Sequence, residues 1–285
     1  MFGRRSDGKE LRHVSPIFRL MPCLMRERND SQVLFKQDIA IQKMEEYISK
    51  KAEEGIKISI MDIVYAGIVR IIAEKPRLNR FVVNGRIYAR NEITITMSIK
   101  KSLTEEGEET SIKTHFDGTE NIFEVKDKLQ TLIAKNKEGT ESNDMDKIAG
   151  LLSKIPSGVL KFAVGTLKFL DKKGYLPKSI IELSPFHSTA VVTNVGSLGI
   201  DSIYHHIYNF GTTSMFFAIG KKKKSYVFED DEIYKEKCIN LAFVGDERIC
   251  DGHYYASSFR ALARYLTHPE LLEKGLEQRV IDPEL

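Results

Sequence analysis

The sequence has no tryptophan and only three cysteines in 285 residues. Cys23, Cys238 and Cys250 are odd in number and show no C-x-x-C spacing, which excludes a disulfide framework and a cysteine zinc site and fits a reducing cytoplasm. Excess charge of one sign is also lacking. With 43 basic against 40 acidic side chains, a net +3 gives no ground for a nucleic-acid partner. Lys221 to Lys224 form the one basic run, which reads as a solvated loop between two strands. No long apolar run is uninterrupted. Leu151 to Leu170 is the greasiest window, but Lys154, Lys161 and Lys168 interrupt it and Pro156 and Gly158 break its first turn, so it does not span a bilayer. The lysine spacing leaves an apolar face between them and predicts a buried or interface helix, with a dock on a lipid surface as the alternative. The basic N-terminus leads into no signal-peptide core. Repeats and low-complexity linkers are absent, which favours one continuous domain.

The balance of 42% hydrophobic and 29% charged residues is that of a globular chain with a real core. Residues 1–30, rich in arginine and holding Pro16 and Pro22, read as an N-terminal arm with a short helix; residues 31–285 read as a single mixed α/β domain. Val33-Leu34-Phe35 opens it as a strand, and Ile41, Met44, Tyr47 and Ile48 follow at helical spacing up to Gly55. Ser59 with Asp62 three residues later is a helix N-terminus signature ahead of an apolar helix that Pro76 bounds. Asn84-Gly85 between two apolar triplets predicts a hairpin. Ile93 to Ile99 alternates as a half-buried strand, with an acidic loop from Thr104 and a return at Ile112. A helical stripe runs from Ile122 to Ile133, and Lys135 to Asp146 is polar and reads as exposed. Ala190 to Val192, Ser214 to Ile219 and Ile239 to Val244 read as buried strands. Ala256 to Leu266 reads as a helix, and His268-Pro269 as the start of a last one.

Three blocks carry a family resemblance. They are Glu74-Lys75-Pro76-Arg77-Leu78-Asn79 with the Asn84-Gly85 hairpin, Thr193-Asn194-Val195-Gly196-Ser197-Leu198-Gly199, and Asp246 through Pro269 with Asp251-Gly252 inside it. In this order and spacing they resemble the acyltransferase catalytic domains of 2-oxoacid dehydrogenase complexes and the related chloramphenicol acetyltransferases, over nearly the whole chain. The resemblance implies a chloramphenicol acetyltransferase-like two-layer sandwich with a mixed sheet flanked by helices. It implies a homotrimer with active sites between subunits, coenzyme A as acyl carrier, and an acceptor thiol, hydroxyl or amine. A lipoyl or subunit-binding domain has no counterpart here, so the acceptor is expected not to be tethered to this chain.

One position departs from the family pattern. The family motif His-x-x-x-Asp-Gly places its general base where this chain has Glu247. Proton transfer from a thiol to an ordinary glutamate is uphill by about 5.7 kcal/mol, against about 2.7 for a histidine, although burial tunes some catalytic carboxyls to about 6–7. A glutamate also forfeits the cationic acid form that helps a developing oxyanion. The resemblance makes Thr193 the oxyanion donor, puts coenzyme A beside Asn194, Gly196 and Ser197, and makes Asp251 the aspartate that an arginine holds, with Arg26, Arg28 and Arg248 as candidates. His205 and His206 are available to supply the missing imidazole, alone or oriented by Glu247. The rival is a catalytically inactive trimeric scaffold or acyl-CoA-binding protein that has lost its base. His187 and His253 are weaker base candidates, and Cys250 reads as a small core residue. His205, His206, Glu247 and Asp251 are metal-ligating types, but adjacent histidines converge poorly on one ion and no metal site is read.

Overall fold

Alternation at Ile93–Ile99 becomes β5 (Ile93–Lys100), whose Ile93, Ile95 and Met97 enter the main core, as period-two burial requires. The computed structural model describes residues 5–100, 109–138, 150, 154–229 and 231–285. The acidic loop from Thr104 and most of the polar Lys135 to Asp146 segment lie outside the described residues, as do residues 151–153 of the greasy window.

The remaining strands are β1 (Gly8–Glu10), β2 (Gln32–Ala40), β3 (Arg80–Val83), β4 (Arg86–Arg90), β6 (Glu109–Phe116), β7 (Ala190–Asn194), β8 (Met215–Glu229) and β9 (Glu232–Asp246). Six of the nine strands form one sheet in the order β2-β9-β8-β7-β5-β6, parallel at β5–β7 and β7–β8 and antiparallel elsewhere. The mixed α/β expectation is therefore met. A second sheet, β1-β4-β3, takes its first strand from the arm. Its β3–β4 hairpin turns at Asn84 and Gly85, both with positive φ (51° and 74°), the geometry for which Asn-Gly is selected.

Among the described residues the helices are α1 (Pro16–Leu24), α2 (Gln42–Glu53), α3 (Ile60–Glu74), α4 (Ile122–Glu138), α5 (Ser157–Lys173), α6 (Lys178–Leu183) and α7 (Gly252–Thr267). Ser59 caps α3 as expected: its Oγ accepts from the Asp62 N–H, and the Asp62 carboxylate accepts from the Ser59 N–H at 2.8 Å. Helices α2, α3, α4 and α7 bury apolar residues in one cluster with Ala190, Val192, Phe217, Leu241 and Phe243 of the large sheet. One face of that sheet is thus core. The other carries Val191, Phe216 and Val244 with Ile207 from the following loop.

Two expectations change and a third, for α5, narrows. The lysine run is not a loop: after a bulge between Ile219 and Lys222, β8 continues to pair with β9 beyond the core. Backbone pairing sustains the ribbon while Lys222 and Lys223 reach Glu45 and Asp38 at 2.8 and 3.0 Å. Helix α5, expected to be buried or at an interface, buries only Asp171 within the chain, because Val159, Phe162 and Phe169 sit outside its half-buried stripe. His268-Pro269 starts a single 3-10 turn, Pro269–Leu272, and no longer helix. Among the described residues no helix is long and apolar enough to cross a membrane.

Candidate active site

Thr193 stands on the outer face of the sheet, half-buried, in register with Ala218 of β8 and through it with Ala242 of β9. Those neighbours are methyl groups, and among the described residues its hydroxyl has no hydrogen-bond partner. The chain then turns sharply. Asn194 Oδ1 accepts from the Ser197 N–H at 3.3 Å, and Ser197 Oγ donates to the Asn194 carbonyl at 2.7 Å, closing the 3-10 turn Val195–Leu198. A Cβ at Gly196 would stand 2.5 Å from the Gly220 carbonyl oxygen, so glycine is what lets the turn rest on the β8 bulge. Asn194 and Ser197 thus have a local structural task, with Ser197 exposed at the turn's surface.

Glu247 follows β9 directly and is exposed. Its N–H donates to the Ser31 carbonyl at 2.8 Å, while its carboxylate has no partner among the described residues. The residues around it are tightly fixed. Asp246, fully buried, accepts from Arg248 Nε at 2.8 Å and Nη2 at 2.7 Å, from the Arg248 N–H at 3.0 Å and from Ser31 Oγ at 3.0 Å. Arg248 Nη1 continues to the Met25 and Arg26 carbonyls. Arg28 Nε lies 4.0 Å from Asp246 Oδ2, and its Nη atoms donate to the Val82 and Asn209 carbonyls. Burial depresses Arg28 to about 10, against the pull of Asp246. The arm, the Glu247 loop and the 204–211 loop are therefore one hydrogen-bonded unit.

This geometry corrects the aspartate assignment. Asp251 is exposed and caps α7, accepting from the Tyr254 N–H at 2.7 Å, with no arginine partner among the described residues. The arginine-held carboxylate is Asp246, five residues earlier, because the strand end is buried while the helix start faces solvent. Gly252 has open space where a Cβ would stand. Cys250 is fully buried, and burial pushes its thiol well above the usual range, in keeping with a core role.

The histidine pair does not meet Glu247 within one chain. His205 stacks on Phe216 at 4.2 Å and on His206 at 4.8 Å, and its Nδ1 lies 2.9 Å from the His206 carbonyl. Phe216 is in register with Val244, so Glu247 lies a further three residues along, roughly 10 Å of strand. Thr193 is more distant still. From Ala242, its register partner through β8, Glu247 is five residues on, and two strand spacings separate them laterally; one chain holds the two groups roughly 20 Å apart. His187 is buried with Nδ1 2.8 Å from Ser184 Oγ and Nε2 3.2 Å from Asp171 Oδ1, away from Glu247. Among the described residues no three His, Cys, Asp or Glu side chains gather as a metal site. Sequence reasoning missed Asp246; its signal was a carboxylate ending the buried run Leu241 to Gly245, two residues before an arginine.

Residues 184–273, which contain both the Thr193 turn and the Glu247 loop, match the family described as 2-oxoacid dehydrogenases acyltransferase (catalytic domain). No curated protein matches the chain by sequence. Solved structures match its fold throughout. A probable dihydrolipoamide acetyltransferase from Listeria monocytogenes superposes with a TM-score of 0.58 at 15% identity, covering 91% of this chain and 94% of that one. The cubic core of the pyruvate dehydrogenase multienzyme complex gives 0.59 at 12% identity, covering 92% and 93%. A chloramphenicol acetyltransferase gives 0.53 at 10% identity, covering 91% and 99%. The resemblance read from the sequence blocks, and the sandwich fold it implied, are borne out.

Proposed function

We propose that this chain, an acyltransferase-type catalytic domain by its match over residues 184–273, moves an acyl group between coenzyme A and a thiol, hydroxyl or amine acceptor at a site shared by two copies. The observation that carries the proposal is the separation of two unpartnered groups. Glu247 and Thr193 both lack side-chain partners among the described residues, yet register holds them roughly 20 Å apart in one chain. A base and an oxyanion donor must lie within hydrogen-bond reach of one reacting carbonyl. The site is then complete only where Glu247 of one copy approaches Thr193 of another, as in a cyclic trimer.

In that arrangement Glu247 accepts the proton of the acceptor as it attacks the thioester carbonyl. The Thr193 hydroxyl donates to the oxyanion that forms. Collapse breaks the carbon–sulfur bond, and the departing coenzyme A thiolate recovers the proton from Glu247. Asp246 and Arg248 keep the Glu247 loop in place, and the Gly196–Ser197 turn beside Thr193 is where coenzyme A is expected to lie. Glu247 is exposed in one chain, so the burial that such a base requires has to come from the second copy.

Complementation tests the shared site. Glu247→Gln and Thr193→Val should each lose at least about a hundredfold in acyl-CoA thiol release. Co-assembled in equal amounts, they should recover about a quarter of the wild-type sites, because half the copies retain each group and a closed ring pairs them at random. Absence of recovery with both variants folded would place the two groups in separate sites. If wild type shows no turnover across a panel of acyl-CoAs, the inactive scaffold is the better reading.

A further inference from the structure

At the β5–β6 edge, across the sheet from β2, lies a cavity of about 100 Å³ between the arm, the β4–β5 turn, β6 and α6. A single water needs about 10–15 Å³ on the same scale, so there is room for a small organic ion. Its lining sets three carboxylates, Asp7, Glu92 and Glu182, against three bases, Arg90, Lys113 and Lys178, but they do not pair off evenly. Arg5 donates to both Asp7 carboxylate oxygens, at 2.8 and 2.9 Å, and to Asp171 Oδ1 at 2.8 Å. His187 Nε2 takes the ion-pair distance to Asp171 without the alignment of a hydrogen bond. Glu92 is 2.7 Å from His115, and Glu182 is 3.3 Å from Lys178. Every lining carboxylate is thus engaged by a base other than Lys113.

Lys113 has no carboxylate of its own. Its ammonium donates to the Ile181 carbonyl at 2.7 Å, and no ion-pair partner stands among the described residues. Burial, and then the nearby Arg90 guanidinium, lower it to about 7. Arg90, which is buried, also lines the cavity; its Nη2 donates to the Ser188 and Thr212 carbonyls and its Nη1 lies 3.9 Å from Asp7 Oδ2, while its Nε–H is buried without an acceptor among the described residues. An ammonium with no contact ion pair, stabilised only from a distance by Asp7, Glu182 and Glu92, and an unsatisfied guanidinium N–H beside an open volume are groups that the oxygens of a bound anion satisfy.

We propose that this cavity binds a small carboxylate of short-chain acid size, held by Lys113 with Arg90 beside it. This does not rest on the acyl-transfer reading. Glu247 follows β9 next to the opposite edge strand, and Lys113 has no part in the chemistry above.

Calorimetric titration of the full chain near pH 7.5 with acetate, butyrate and phosphate, in two buffers of different ionisation enthalpy, tests it. The expected result is saturable binding of acetate or butyrate with net proton uptake, as the ligand restores the charge on Lys113. His115 and His187 also face the cavity, so the variants assign the proton. Lys113→Met should weaken carboxylate binding at least tenfold and remove the uptake; Lys113→Arg should keep binding and lose the uptake. If Lys113→Met does not fold, Lys113→Arg decides: retained binding without uptake supports the proposal, and unchanged uptake assigns the proton to a histidine and overturns it. Lack of saturable carboxylate binding, binding of phosphate alone, or undiminished binding by a folded Lys113→Met would overturn the proposal.

Discussion

Arg248 shows how one residue holds a site it does not belong to. Its guanidinium meets the Asp246 carboxylate through two bonds and continues to the arm at Met25 and Arg26. Arg248→Ala leaves that carboxylate buried without its main counter-charge, a loss of about 3–5 kcal/mol. Lys is not expected to restore it, because an ammonium cannot reproduce the forked geometry. The urea midpoint of the two variants checks this, and an unchanged midpoint would remove the pair from any structural role. Asp251 predicts the opposite pattern. As an exposed N-cap, Asp251→Ala should cost about 1 kcal/mol while thiol release by the folded fraction stays within about twofold of wild type. A collapse in turnover at unchanged stability would return the loop-holding role to Asp251.

At the level of elements, legibility follows how local the cause is. The Ser59–Asp62 capping box, the Asn84-Gly85 hairpin and the β5 alternation each arise within a few residues, and each is present as read. The β8–β9 ribbon was misread because pairing between two strands, which no local pattern encodes, carries the lysines past the core. Helix α5 is left with an open apolar face for a related reason. A lysine every seventh residue marks an apolar stripe without saying whether anything in the same chain covers it, and Phe162 and Phe169 stay exposed. A substitution follows. Gly196→Ala should push the 195–198 turn off the β8 bulge, since the new methyl meets the Gly220 backbone and no mobile side chain. Activity should fall with the Thr193 position while unfolding stability, read by urea titration, drops by about 1–3 kcal/mol; equal losses in a Gly252→Ala control, where space is open, would contradict it.

For the molecule as a whole, acid sensitivity is built into the contact between arm and α5. Burial would raise the Asp171 carboxyl, but His187 and Arg5 overcome it and hold it at about 2. Burial lowers His187, against the pull of Asp171. Both folded-state values lie below their unfolded ones, so the unfolded chain binds more protons as pH falls. The His187 contribution is complete above about 6.5 and declines below it, and the Asp171 contribution declines between about 4 and about 2. Thermal midpoints measured from pH 8 to 3 should fall in both windows, and His187→Gln should flatten the upper one alone. A fall on the alkaline side of 6.5 that His187→Gln removes would contradict the sign.

The sequence by itself determined what depends on order and short-range chemistry: the blocks that carry the family resemblance, the caps and turns, and the substitution of glutamate at position 247. Only the tertiary structure decided which carboxylate is buried, since Asp246 and Asp251 lie five residues apart and differ by facing core or solvent. It also decided that Glu247 and Thr193 are held apart in one chain, because strand register, a property of pairing between distant segments, sets that distance. Position 247, where the family motif has a histidine, carries an exposed carboxylate on a fixed backbone, with Thr193 roughly 20 Å away on the same fold.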